Sequence, residues 1–134
     1  MNLLTLILSF LVSSAAYAGD DSDWLKANNL NGYFPQEAKY VNFPNLCNEN
    51  TCFNLVAVSY VTETNKGMRR LAVFSGSGDY LGVYSGFQEM PVKVVGTSLV
   101  FPVSEYGYFI NFSGSQPPAT AYIDGENFEF ESKP

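Results

Sequence analysis

Apolar and polar residues alternate along most of the chain beyond Tyr40, and short polar or glycine-bearing runs interrupt the alternation. A period of two puts successive side chains on opposite faces of an extended strand. The strongest such run is Phe53 to Val61, with Phe53, Leu55, Ala57 and Ser59 on one face and Asn54, Val56, Val58 and Tyr60 on the other. Both faces are mainly apolar, which predicts a central strand covered on two sides. Leu71 to Phe74 and Tyr80 to Tyr84 then flank Ser75-Gly76-Ser77-Gly78-Asp79, whose glycines and small polar residues suit a tight reversal. Strict alternation in the return strand sets Leu81 and Val83 on one face and Tyr80, Gly82 and Tyr84 on the other. Gly82 leaves a gap between the two rings.

The remaining segments repeat the theme in shorter pieces. Tyr40 to Phe43 predicts a short strand broken by Pro44, and Val92 to Val95 and Ser98 to Phe101 predict two more, joined at Gly96-Thr97. Tyr106 to Phe112 alternates again, and Ser113 to Pro118 is an exposed connection. Thr120 to Ile123 and Glu126 to Phe130, linked by Asp124-Gly125, read as a two-residue hairpin with Phe128 and Phe130 inward and Asn127 and Glu129 in water. Near the start, Asp21 or Ser22 could cap a short helix through Trp24, Leu25, Ala27 and Leu30, stopped by Asn31-Gly32. The connections are too short for parallel crossovers. The expectation is an all-β, antiparallel meander with a short N-terminal helix, and closure into a small barrel is favoured over a sandwich because closure removes exposed edges.

The first eighteen residues do not belong to this pattern. An apolar run from Leu3 to Val12, then Ser13-Ser14 and Ala16-Tyr17-Ala18, has the form of a signal peptide with small residues at the cleavage site, although no lysine or arginine precedes the run. The run is about half the roughly 20 residues that span a bilayer, so stable membrane insertion is not expected after cleavage. Residues 1–18 are thus read as a signal peptide and 19–134 as a single β-rich domain, exported to the periplasm or beyond. All charged residues lie in the second part, with a formal net charge of −6. Such a surface repels nucleic acid and favours a cationic partner. Export also favours a disulfide between Cys47 and Cys52, across the polar turn Asn48-Glu49-Asn50-Thr51.

Candidate chemistry is sparse. The chain has no histidine and no third cysteine, so common nucleophile–base arrangements and zinc sites lack their parts; redox pairs usually have two intervening residues where Cys47 and Cys52 have four, and no metal or cofactor is expected. A glycoside hydrolase needs only two carboxylates, and Glu63, Asp79, Glu89, Glu105, Asp124 and Glu126 are available. All six fall in turns or at strand ends, where acidic residues ordinarily sit, so an enzyme is the lesser reading. The aromatic residues Tyr80, Tyr84, Phe87, Tyr106 and Tyr108 either fill the core with hydroxyls at the rim or serve a binding surface.

The run Ser75-Gly76-Ser77-Gly78-Asp79-Tyr80 resembles the Ser-Gly-x-x-Tyr loop that small, acidic periplasmic lysozyme inhibitors insert into their target's cleft. The spacing differs, because one residue separates Gly78 from Tyr80 and three separate Gly76 from it. The resemblance implies a function class and not membership. On this glycine-flanked loop Asp79 would meet a cationic group of a partner and Tyr80 would anchor the contact, and the aromatic surplus makes Tyr84, Phe87, Tyr106 and Tyr108 further candidates. The expected function is a non-catalytic inhibitor or immunity factor for a basic protein. A carbohydrate- or small-ligand-binding module and a structural envelope protein are the alternatives. The leader reading has a direct check: N-terminal sequencing of protein recovered outside the cytoplasm should begin at Gly19, and a chain still carrying Met1 would refute it.

Overall fold

The computed structural model describes residues 17–19, 34–35, 37–102, 108–123 and 125–133. Among them every regular element is a strand: β1 (Tyr17–Gly19), β2 (Lys39–Asn42), β3 (Leu46–Cys47), β4 (Cys52–Val61), β5 (Gly67–Ser75), β6 (Tyr80–Ser85), β7 (Lys93–Val95), β8 (Ser98–Val100), β9 (Phe109–Asn111), β10 (Thr120–Ile123), β11 (Glu126–Glu129) and β12 (Glu131–Ser132). The protein is all-β with antiparallel pairing throughout. The capped helix expected near Trp24 lies outside the described residues, as does most of the leader. Cleavage between Ala18 and Gly19 would fall within β1, the strand that pairs with β2.

The main sheet runs β1-β2-β4-β5-β6-β12, with β3 also paired to β4, and β7-β8-β9 and β10-β11 form two smaller sheets. Among the described residues no closed barrel is found: the path of the main sheet ends at β1 and β12 without joining them. The ladder between β4 and β5 is unbroken from Phe53 opposite Ser75 to Val61 opposite Gly67. Its odd-numbered β4 face carries Phe53, Leu55 and Ala57, which enter one core with Leu71, Val73 and Tyr84, with Leu99, Ile110, Ala121 and Phe128 from the smaller sheets, and with Phe112 just beyond β9. The even-numbered face carries Val56 and Val58 into a second core with Phe34, Ala72, Phe74, Tyr80 and Val83. A strand apolar on both faces is thus buried on both, as its composition requires.

The return strand departs from strict alternation. Val73 pairs with Gly82 and Phe74 with Tyr80, so Leu81 is an extra residue and β6 is bulged there. The bulge shifts the phase of the side chains: Tyr80 joins the second core with Val83, whereas Tyr84 joins the first. The two tyrosines therefore occupy opposite cores, contrary to the single aromatic face that alternation implies. The gap at Gly82 is real and is filled from elsewhere in the chain. A β-carbon at Gly82 would lie 2.4 Å from the Glu131 carbonyl oxygen and 2.5 Å from Cζ of Phe130. The Phe130 ring sits 5.0 Å from the Tyr84 ring, and β12 pairs across Glu131↔Val83 and Ser132↔Gly82.

Cys47 and Cys52 face each other across the β3–β4 pair with Cα atoms 4.0 Å apart and are joined by a disulfide. Closing so short a loop contributes roughly 2 kcal/mol in the chain-entropy account. Asn48 organises the turn between them: its Oδ1 accepts from the amides of Asn50 and Thr51, and its Nδ2 donates to the carbonyls of Phe112 at 2.9 Å and Gly114 at 2.7 Å. The disulfide turn is in this way tied to the segment that follows β9.

Replacing Gly82 by alanine sets a methyl group against backbone and ring together. Gly82→Ala should lower stability by about 1–3 kcal/mol, read by chemical denaturation, with the loss traced to β12 by faster amide exchange at Lys133, whose N–H donates to the Leu81 carbonyl. Unchanged exchange at Lys133 would show that Gly82 has no part in seating that strand.

Candidate functional site

The 75–79 connection is a pre-formed turn. The Ser75 amide donates to the Asp79 carbonyl at 2.8 Å, the Gly78 amide to the Ser75 carbonyl at 2.9 Å, and the Asp79 amide to Ser75 Oγ at 3.0 Å. Hydroxyls of Ser75 and Ser77 lie 2.9 Å apart, and Ser77 Oγ donates weakly to Asp79 Oδ2 at 3.4 Å. Gly78 has φ of +94°, which this turn requires of a residue without a β-carbon. Gly76 is needed for a different reason: a β-carbon there would lie 3.0 Å from that of Cys52. The loop is held down beside the disulfide strand, and its exposed charge is Asp79.

The aromatic candidates are distributed differently. Tyr80 is 5% exposed, with its ring 5.6 Å from that of Phe74, so it supports the loop from beneath. Phe87 is buried between Phe101 and Phe128, at ring separations of 5.0 and 4.8 Å. Tyr108 is half-buried against the first core, and Tyr106 lies outside the described residues. Tyr84 is fully buried, and its hydroxyl donates to the Pro118 carbonyl at 2.5 Å. Burial pushes the Tyr84 hydroxyl well above the ordinary tyrosine value of 10.0. Of the described candidates, only Asp79 therefore stands in water. The carboxylates Glu63, Glu89 and Glu126 are likewise exposed and on separate connections or strand ends, while Glu105 and Asp124 lie outside the described residues.

Exposed rings occur on the outer side of the smaller sheets instead. In β10, Ala121 and Ile123 point into the core, so Thr120 and Tyr122 point out, and Tyr122 is 59% exposed. Register places Asn127 of β11 opposite Tyr122, and Glu129 opposite Thr120. Tyr122, Asn127 and Glu129 thus share one face, with Glu129 on the diagonal from the ring, about 7–8 Å away in sheets of this kind. In β9, Ile110 is buried and Phe109 points out, 53% exposed. The signal for Tyr122 was available in the alternation of Thr120 to Ile123, since an inward Ala121 and Ile123 leave Tyr122 no other side.

Comparison with protein families, with characterised proteins and with solved structures gives no match to this chain. Its functional reading therefore rests on its own residues.

The buried Tyr84 hydroxyl makes stability depend on alkaline pH. The unfolded chain releases this proton near 10.0 and the folded chain only at higher pH, so the folded state is favoured in full below 10.0 and loses that advantage as pH climbs above it. Tyr84→Phe should remove this part of the alkaline slope in a melting-temperature profile. It should also cost about 1 kcal/mol at neutral pH through the lost bond to Pro118.

Proposed function

We propose that the chain is a non-catalytic, exported binding protein whose partner is a basic protein held on the outer face of the β10–β11 hairpin. The reading is supported by one observation above others: Tyr122, 59% exposed, stands beside Asn127 and Glu129 on a face whose reverse side is built into the core. A ring on a rigid sheet loses little conformational freedom on binding and supplies apolar area with a polar tip. Glu129 gives a charge-assisted hydrogen bond to a lysine or arginine of the partner, and Glu126 and Glu131, both exposed, extend the negative field along the same stretch of chain. The net charge of −6 steers a cationic partner towards it. Inhibitor or immunity factor is the class of function that such a surface serves. Asp79, on its fixed turn, is a second point of charge, while the buried Tyr80 gives it rigidity without itself meeting the partner.

A glycan is the second reading, and Phe109 favours it. Two exposed rings, Phe109 and Tyr122, on neighbouring β9 and β10 with Asn111 and Asn127 beside them form the type of platform on which sugar faces stack. The test separates the two. Protein immobilised through its C-terminus is exposed to an extract of basic envelope proteins and, separately, to a glycan array, as wild type, Tyr122→Ala, Glu129→Gln and Phe109→Ala. The protein reading expects a basic polypeptide retained by wild type, released as salt rises, and weakened about tenfold or more by Tyr122→Ala and severalfold by Glu129→Gln. Retention on glycans alone, lost with Phe109→Ala and insensitive to salt, would replace it with the glycan reading.

A further inference from the structure

Among the described residues, the end of the main sheet where β2, β4 and β5 approach the 62–66 turn is not covered by the smaller sheets. On the first-core face, Leu55, Ala57, Leu71 and Val73 are buried, but the positions that continue their rows, Lys39, Ser59, Val61 and Arg69, are half-buried or exposed. Register sets Lys39 opposite Ser59 and Ser59 opposite Arg69, so the three form one row across three strands with the hydroxyl between two cations. They line an open cleft of about 260 Å³ together with Glu37, Val61 and Gly67.

Three features of this cleft point to a ligand. First, it concentrates positive charge in an acidic chain: among the described residues, Lys39 and Arg69 against Glu37 leave one net positive charge on its walls, where the molecule as a whole is at −6. Second, among the described residues neither Lys39 nor Arg69 closes an ion pair or a side-chain hydrogen bond. Arg70, next in sequence, points to the other face and stands over the Tyr60 ring, 6.0 Å from its centre. Third, the floor is a glycine without a conformational need for one. Gly67 is absent from the residues with positive φ, and a β-carbon there would meet nothing closer than Nη1 of Arg69 at 3.9 Å. A glycine in a strand weakens it and presents no side chain, which leaves the backbone there open to whatever occupies the cleft.

We propose that this cleft binds an oxyanion, the carboxylate or phosphate group of a small ligand. The Arg69 guanidinium lies along the floor over Gly67 and offers paired N–H donors in the plane that such a group accepts. Lys39 supplies the second charge from the opposite wall, and Ser59 Oγ–H donates between them. Glu37 excludes ligands of high negative charge and sets a preference for a single oxyanion. The cleft lies on the main sheet and does not involve Tyr122, Asn127 or Glu129, so it operates independently of the proposed protein-binding face.

The experiment is an NMR titration of the full chain with sodium phosphate, with sodium acetate and, as ionic-strength control, with sodium chloride. Saturable shifts confined to the amides of Ser59, Gly67 and Arg69, with a Kd of ~1 mM for phosphate or acetate and none for chloride, are expected. The anion that binds more tightly identifies the ligand chemistry as phosphate or carboxylate. Arg69→Ala should weaken binding about tenfold or more, Lys39→Ala and Ser59→Ala severalfold, and Glu37→Gln should tighten it. Lys39 is exposed, so its variant tests the cleft even where truncation of Arg69 disturbs the sheet. Tyr122→Ala and Glu129→Gln should leave the titration unchanged. Linear, unsaturated shifts with both anions, shifts reproduced by chloride, or binding unaffected by Lys39→Ala and Arg69→Ala would overturn the proposal.

Discussion

Everything in this fold is arranged around the need to cover both faces of the β4–β5 ladder. Phe53, Leu55 and Ala57 on one side and Val56 and Val58 on the other are almost completely removed from water. At roughly 25 cal/mol per Å² of apolar surface, neither face can be left open without a large loss of stability. The first face is covered by the smaller sheets, through Leu99, Ile110, Ala121 and Phe128, and by Phe112 just beyond β9. The second includes Phe34, with Ala38, Tyr40 and Tyr60 packed at its margin. Antiparallel hairpins supply the connections with little chain, and the same economy leaves the end of the sheet beside the 62–66 turn uncovered among the described residues. The oxyanion cleft is placed there.

The bulge at Leu81 decides how the aromatic residues are used. One extra residue rotates the rest of β6 relative to β5, and that rotation sends Tyr80 and Tyr84 to different cores. Tyr80 then braces the 75–79 turn against Phe74, while Tyr84 reaches Pro118 and holds the connection before β10 against the main sheet. The Phe130 ring, seated over Gly82, closes the space between the sheets and lets β12 pair with β6. These contacts fix the β10–β11 hairpin from behind, so that the outward Tyr122 and Glu129 sit on a rigid support. A recognition surface gains from that rigidity, since less freedom remains to be lost on binding.

The two surfaces proposed for binding differ in sign and lie on different sheets. The outer face of β10–β11 is acidic and aromatic, and the cleft at the end of β2, β4 and β5 is the basic counterpart. A small acidic protein gains solubility from uniformly distributed negative charge. Segregating Lys39 and Arg69 around one hydroxyl works against that spread and needs an anion, or bulk water, to offset the mutual repulsion.

Much of the architecture was legible in the chain. Alternation and turn residues located Phe53 to Val61 as the doubly buried centre, the hairpin after it and the reversals after Val95 and after Ile123, and close spacing located the pairing of Cys47 with Cys52, because each follows from neighbours a few residues apart. What alternation could not carry was phase after an irregularity. A bulge depends on how two strands settle against a third, so Leu81 gave no local sign that Tyr80 and Tyr84 would part. Strands of two or three residues, such as Leu46–Cys47 and Glu131–Ser132, are too short to show a period and exist because a longer strand offers them an edge. Whether Tyr80, Tyr84 and Phe87 fill the core or line a surface was left open by the sequence for the same reason: side-chain type alone does not tell core from rim, and the packing of the sheets buries all three. Lys39, Ser59 and Arg69 are far apart in the sequence, and only the register of three strands sets them in one row.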